Sequence, residues 1–230
     1  MIPRICYLLV SVWSVVGRVD GNMLANLKMP MPISYVYDSR SRRYRDSASG
    51  HYVTASQVRQ AVDAVIDAED AKVAALSERL VDGDISLADW QSQMAGIMKT
   101  LHVTMGVAAV GGFNQADASD FGYMGSLIKK QYQYLQNFAN DIVSGKQALD
   151  GSLVSRAELY AQAGRGVFED MVGREAENGG ATQERSVLGA ADHCGDCLGE
   201  AAKDWSPLNS LIPIGERQCL ARCHCTMEYK

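Results

Sequence analysis

Residues 86–112 read SLADWQSQMAGIMKTLHVTMGVAAVGG, and their apolar side chains return every three or four positions: Trp90, Met94, Ile97, Met98, Leu101, Met105 and Ala108. That period is the signature of an α-helix burying one face. Ser86-Leu-Ala-Asp89 supplies a side-chain oxygen for the unpaired amides of the first turn. Gly111-Gly112 supplies residues that take positive φ without penalty, which ends the helix.

The same grammar extends in both directions. Thr54-Ala-Ser-Gln57 has the form of a capping box and precedes Val58, Val62, Val65, Ile66, Val73, Leu76 and Leu80. Asp82-Gly83-Asp84 closes that segment. It is no EF-hand loop, because the position that needs a Glu ligand holds Gln93. Downstream, Asp117-Ala-Ser-Asp120 caps a stripe of Met124, Leu127, Ile128, Tyr134, Leu135, Phe138 and Ile142. Ser155-Arg-Ala-Glu158 is expected to cap a fourth helix through Tyr160, Ala163, Val167, Phe168 and Met171. Short connections between such helices predict an antiparallel helical domain over residues 54–178. Its Met, Trp and Tyr residues are read as core packing. The fold class is therefore mainly α, with a small Cys-rich module carrying short strands appended at the C-terminus.

Glu177-Asn178-Gly179-Gly180-Ala181-Thr182 reads as a linker into that module, residues 179–230. Cys194-x2-Cys197 opens it, and Cys219-x3-Cys223-x-Cys225 follows after residues 198–218. Two thiolates two or three residues apart grip one ion from a tight turn, and a second pair completes a tetrahedral zinc shell. Cys194 and Cys197 form the first pair and Cys219 and Cys223 the second; Cys225 can replace either member of the second. A closed all-sulfur shell is structural rather than catalytic. Trp205, Pro207, Leu208, Leu211, Ile212, Pro213 and Ile214 supply a small apolar body, so metal binding is expected to provide much of the module's folding free energy. Disulfide exchange through C-x-x-C is the competing reading, without a βαβ context to favour it.

The chain has 230 residues, 47% of them hydrophobic and 21% charged, with a formal net charge of −5. Wholesale disorder is excluded by that apolar fraction, and a multi-span membrane protein by the lack of long apolar runs. The charge argues against a dedicated duplex-DNA reader. Residues 1–22 hold a signal-like leader in which Arg4 precedes the apolar run Ile5–Val16. Export, or translated leader ahead of a protein starting near Met23 or Met29, are the two readings. Residues 23–53 form an N-terminal arm whose basic cluster, Arg40, Arg42, Arg43 and Arg45, reads as solvated, with DNA contact through residues 40–45 as a weaker reading. His51 and His102 stand alone, and no GxSxG, P-loop or dinucleotide fingerprint is present.

The C-terminal block AADHCGDCLGEAAKDWSPLNSLIPIGERQCLARCHCTMEYK resembles that of the minor head, or head-morphogenesis, proteins of tailed bacteriophages of the Mu-like kind. Upstream, Trp90, Gly111-Gly112-Phe113 and the run from Phe121-Gly122 into QYQYLQNFANDI extend the resemblance over roughly residues 35–230. Many relatives of that kind carry a His where this chain has Cys219, which leaves the choice among the five cysteines open. The resemblance implies a non-enzymatic virion component, assembled in host cytoplasm with the portal and major capsid proteins, and compatible with an oligomer in the virion. The alternative is an exported protein with a redox or disulfide-bonded cysteine module.

Overall fold

Helix boundaries follow local chemistry closely. The computed structural model describes residues 35–38 and 43–230, so the leader at residues 1–22 and Arg40 and Arg42 lie outside the described residues. Helix α1 (Ala55–Val81) starts at the reciprocal Thr54/Gln57 capping box, and α2 (Leu87–Val110) starts with Ser86 Oγ accepting from the Asp89 amide. Gly111 ends α2 in the left-handed region at φ 92°. Helix α3 (Ala118–Val143) is opened by a second capping box, Asp117/Asp120.

The fourth segment departs from the expected pattern. Asp150, not Ser155, caps α4 (Gly151–Gln162) by accepting from the Ser152 amide. The helical path then breaks at Ala163, and α5 (Gly164–Asn178) follows without a side-chain cap. Gly164 sits at that break, where a Cβ would come within 3.2 Å of the Leu101 side chain. The backbones of α2 and α5 therefore approach closely there.

Helix α1 packs chiefly on α4, while α2 packs on α5, α3 and α1. Every apolar position read from α1 is buried, as are Trp90, Met94, Met98, Leu101 and Met105 of α2. Trp90 donates from Nε1 to Ser77 Oγ at 3.1 Å, which satisfies its one polar atom in the core. Phe138 meets Trp90 edge-on at 5.3 Å between centroids and stacks on Tyr160 at 6.1 Å. On α3 Met124, Leu135 and Phe138 are buried as expected, and the stripe departs at one position. Tyr134 is exposed, and Tyr132 turns inward to donate to the Ala95 carbonyl at 3.2 Å. Among the described residues no helix is long and apolar enough to cross a membrane.

Part of the N-terminal arm is a small antiparallel sheet: β1 (Tyr35–Asp38), β2 (Arg43–Asp46) and β3 (Tyr52–Val53). It is pinned to the helices by Tyr44, whose hydroxyl donates to the Ala109 carbonyl at 2.9 Å. Arg43 and Arg45 both lie over the Tyr52 ring.

A second sheet builds the C-terminal module. Strand β4 (Gln183–Val187) lies between β5 (Ser206–Pro207) and β6 (Thr226–Tyr229), both antiparallel to it. Residues 179–182 form a tight joint: Ala181 is buried, and the Thr182 and Gln183 amides both donate to the Lys230 carbonyl.

The module sits on α5 through a polar clamp. Buried Glu169 accepts from Arg59 Nε at 3.1 Å and from the Met227 amide at 3.2 Å, and Arg59 Nη2 donates to the Met227 carbonyl at 3.3 Å. One helical turn to either side, Gly166 and Gly173 let the module approach. A Cβ at Gly166 would lie 3.2 Å from the Ile214 carbonyl oxygen, and one at Gly173 would lie 2.7 Å from the Tyr229 hydroxyl.

Candidate metal centre

Three short elements carry the five cysteines of the module. Cys194 is the N-cap of α6 (Gly195–Ala202), and Cys197 lies in its first turn. Residues three apart share one helix face, and the positive end of the helix favours thiolate there. Cys219 and Cys223 flank a single 3-10 turn, Leu220–Arg222, which brings a C-x3-C pair together. The Asp196 carboxylate accepts from the Gln218 amide at 2.8 Å and ties that turn to the start of α6. Cys225 immediately precedes β6, and the pairing of Val187 with Thr226 sets it beside the chain leaving β4.

The five sulfurs converge. Cys197 Sγ lies 3.5 Å from Cys194 Sγ, 3.5 Å from Cys219 Sγ and 3.6 Å from Cys223 Sγ. A tetrahedral shell with sulfur about 2.3 Å from its ion has edges of about 3.8 Å, and the three spacings from Cys197 are close to that length. Donor atoms of Cys194, Cys197 and Cys219 lie within 4.8 Å of one another. All five cysteines are free thiols. The cluster can hold a metal ion.

The electrostatics point the same way. Arg217 is fully buried, at 0% exposure. It donates to the Ile212 carbonyl and to Ser186 Oγ, both at 2.9 Å, and approaches Met227 Sδ at 3.5 Å and Cys197 Sγ at 4.0 Å. No carboxylate among the described residues pairs with it. A buried, uncompensated guanidinium is costly, and the cysteine cluster is the group beside it that can become anionic. Burial raises the Cys197 thiol, but hydrogen bonds involving Cys194, Cys225, Cys219 and Arg217 outweigh burial and bring it to about 6. Burial and donation to Cys197 hold Cys219 well above the usual thiol range. Burial and the contact with Cys197 push Cys225 up to about 12, against the lowering effect of the Gly189 amide.

His193 is a sixth donor, outside the ligand set of five cysteines read from the sequence. His193 Nδ1 lies 3.7 Å from Cys225 Sγ, and His193, Cys197 and Cys225 form a second set of donors within 4.8 Å of one another. The imidazole's other nitrogen, Nε2, lies 3.0 Å from the Gly189 carbonyl. Position alone could have found it, since His193 directly precedes Cys194. The strand register that brings it to Cys225 cannot be read from residue spacing. Gly189 is required for this approach, because a Cβ there would lie 2.0 Å from the His224 carbonyl oxygen.

Other candidate positions stay apart from the cluster. His102 is buried within α2 with Nδ1 on the Met98 carbonyl at 2.8 Å. A cleft of about 270 Å³ lies where the module meets α1 and α4, its walls mixing Asp67 and Asp70 with Arg165, Arg222 and His224. The chain matches no family model, no curated protein and no solved structure.

Proposed function

We propose that the chain is a structural, non-enzymatic component of a phage head, a minor head or head-morphogenesis protein that assembles with the portal and major capsid proteins. In this reading its C-terminal module is held by zinc. The observation that carries the metal part is the convergence of cysteine sulfurs from three elements at 3.5–3.6 Å from Cys197. Clustered thiolates select zinc, copper(I) or iron–sulfur centres. Zinc is the choice for a staple because it has no redox chemistry and takes a closed tetrahedral sulfur shell. Cys194, Cys197, Cys219 and Cys223 would hold it, and it would supply folding free energy to a segment with a small apolar core of its own.

Support for the assembly part comes from the resemblance of residues 190–230 and of the helical region to Mu-like minor head proteins. The clamp of Arg59 and Glu169 on β6 suits a module that must stay rigid on its helical body. Co-expression with portal and major capsid proteins tests the role. The chain is expected to sediment with assembled heads, and its absence from them would overturn the reading. A natural product with its leader removed and its cysteines paired as disulfides would favour the exported alternative instead.

A further inference from the structure

We propose that the cluster holds two metal ions rather than one, with the Cys197 thiolate bridging them; this rests on the metal reading above. One tetrahedral ion takes four donors, and the structure gathers five sulfurs and one imidazole nitrogen. They fall into two sets that share Cys197: Cys194, Cys197 and Cys219 on one hand, His193, Cys197 and Cys225 on the other. Cys223, 3.6 Å from Cys197, completes the first set. The second keeps a position for water or another small ligand.

The surroundings of the second set are those of a ligand set. A metal-binding histidine commonly donates its other ring N–H to a backbone carbonyl, which fixes the tautomer and leaves the facing nitrogen with a free lone pair. Nε2 of His193 meets the Gly189 carbonyl at 3.0 Å, and Nδ1 faces Cys225. The Gly189 amide donates to Cys225 Sγ, so one residue orients both new ligands. Cys225 has 0% exposure, which closes it to any substrate and counts against a nucleophile–base pair.

Charge balance favours two ions. Four thiolates on one divalent ion leave two negative charges beside a single buried guanidinium. Five thiolates on two divalent ions leave one, which Arg217 compensates in a site where unbalanced charge is expensive.

Native mass spectrometry of the full chain, titrated with zinc, reads the stoichiometry directly. About two zinc ions per chain are expected for the wild type and about one for His193→Ala and Cys225→Ser. Because His193 is only partly buried, its variant is expected to keep the helical circular dichroism of the parent. Cadmium-113 NMR should give two resonances that couple through the shared sulfur, reduced to one in His193→Ala. A single ion in the wild type, or two ions retained in both variants, would overturn the bridged pair while leaving the zinc staple standing. No bound ion at all would overturn both.

Discussion

Replacing Arg217 with methionine separates the charge of the guanidinium from its volume. In the wild type this side chain is fully buried and bonds the Ile212 carbonyl and Ser186 Oγ while lying 4.0 Å from Cys197 Sγ. Methionine fills the space but leaves the carbonyl and hydroxyl without their donor, at about 1–3 kcal/mol each when buried. It also removes the several kcal/mol of desolvation that a buried cation carries. These effects oppose one another in the metal-free protein, so its stability should change little. The metal-loaded protein differs, because its thiolates all carry charge and lose their one buried counter-ion. Loss of such an outer contact lowers metal affinity about 10- to 100-fold, or about 1.4–2.7 kcal/mol. Competition for zinc against a chromophoric chelator measures this, with circular dichroism as the control for folding. Affinity within twofold of wild type in a folded variant would refute the view that Arg217 balances thiolate charge.

Three further outcomes follow from the packing. Burial lowers His102 from 6.5 to about 4 despite its contact with the Met98 carbonyl. The unfolded imidazole therefore takes its proton first, and stability complete above pH 6.5 is lost as pH falls toward 4, by about 3 kcal/mol. Urea denaturation of wild type against His102→Leu across that range should show the difference, and parallel pH profiles would refute it. Glu169→Gln removes the buried partner of Arg59 and sets an amide donor against donors, so it should cost about 2–4 kcal/mol. A loss below about 0.5 kcal/mol in thermal unfolding would show that the clamp does not hold the module. Gly189→Ala should damage the module far more than Gly106→Ala damages the helices. The first Cβ meets the His224 backbone at 2.0 Å, whereas the second meets the Met124 side chain, which can move. Equal melting temperatures for the two variants would contradict this.

Much of the helical body was legible because its signals are local. A capping oxygen, a stripe of one period and a terminating glycine lie within a few residues of one another, and they placed α1, α2 and α3 closely. The fourth segment misled because Ser155 offers the same hydroxyl as a true N-cap, while Asp150, five residues earlier, is the residue that accepts from the Ser152 amide. Tyr132 and Tyr134 are two apart on α3, and periodicity alone could not tell which would find the Ala95 carbonyl. At the metal cluster, residue types and spacing named all five cysteines. They could not supply the approach of His193 to Cys225, since it depends on the β4–β6 register that sets Cys225 beside the chain leaving β4. Arg217 and the Gly166–Glu169–Gly173 face of α5 were equally hidden. Each acts through a contact distant in sequence, and a lone Arg, Glu or Gly carries no spacing signature.

In the proposed reading a metal–thiolate cluster, rather than apolar packing, holds residues 183–230 folded on an independently stable helical body. Hydrogen-exchange mass spectrometry with and without a strong chelator tests it most directly. Chelation is expected to strip protection from β4, α6 and β6 while α1, α2 and the rest of the helical core keep theirs. Unchanged protection of the C-terminal module in protein shown to be free of metal would contradict it.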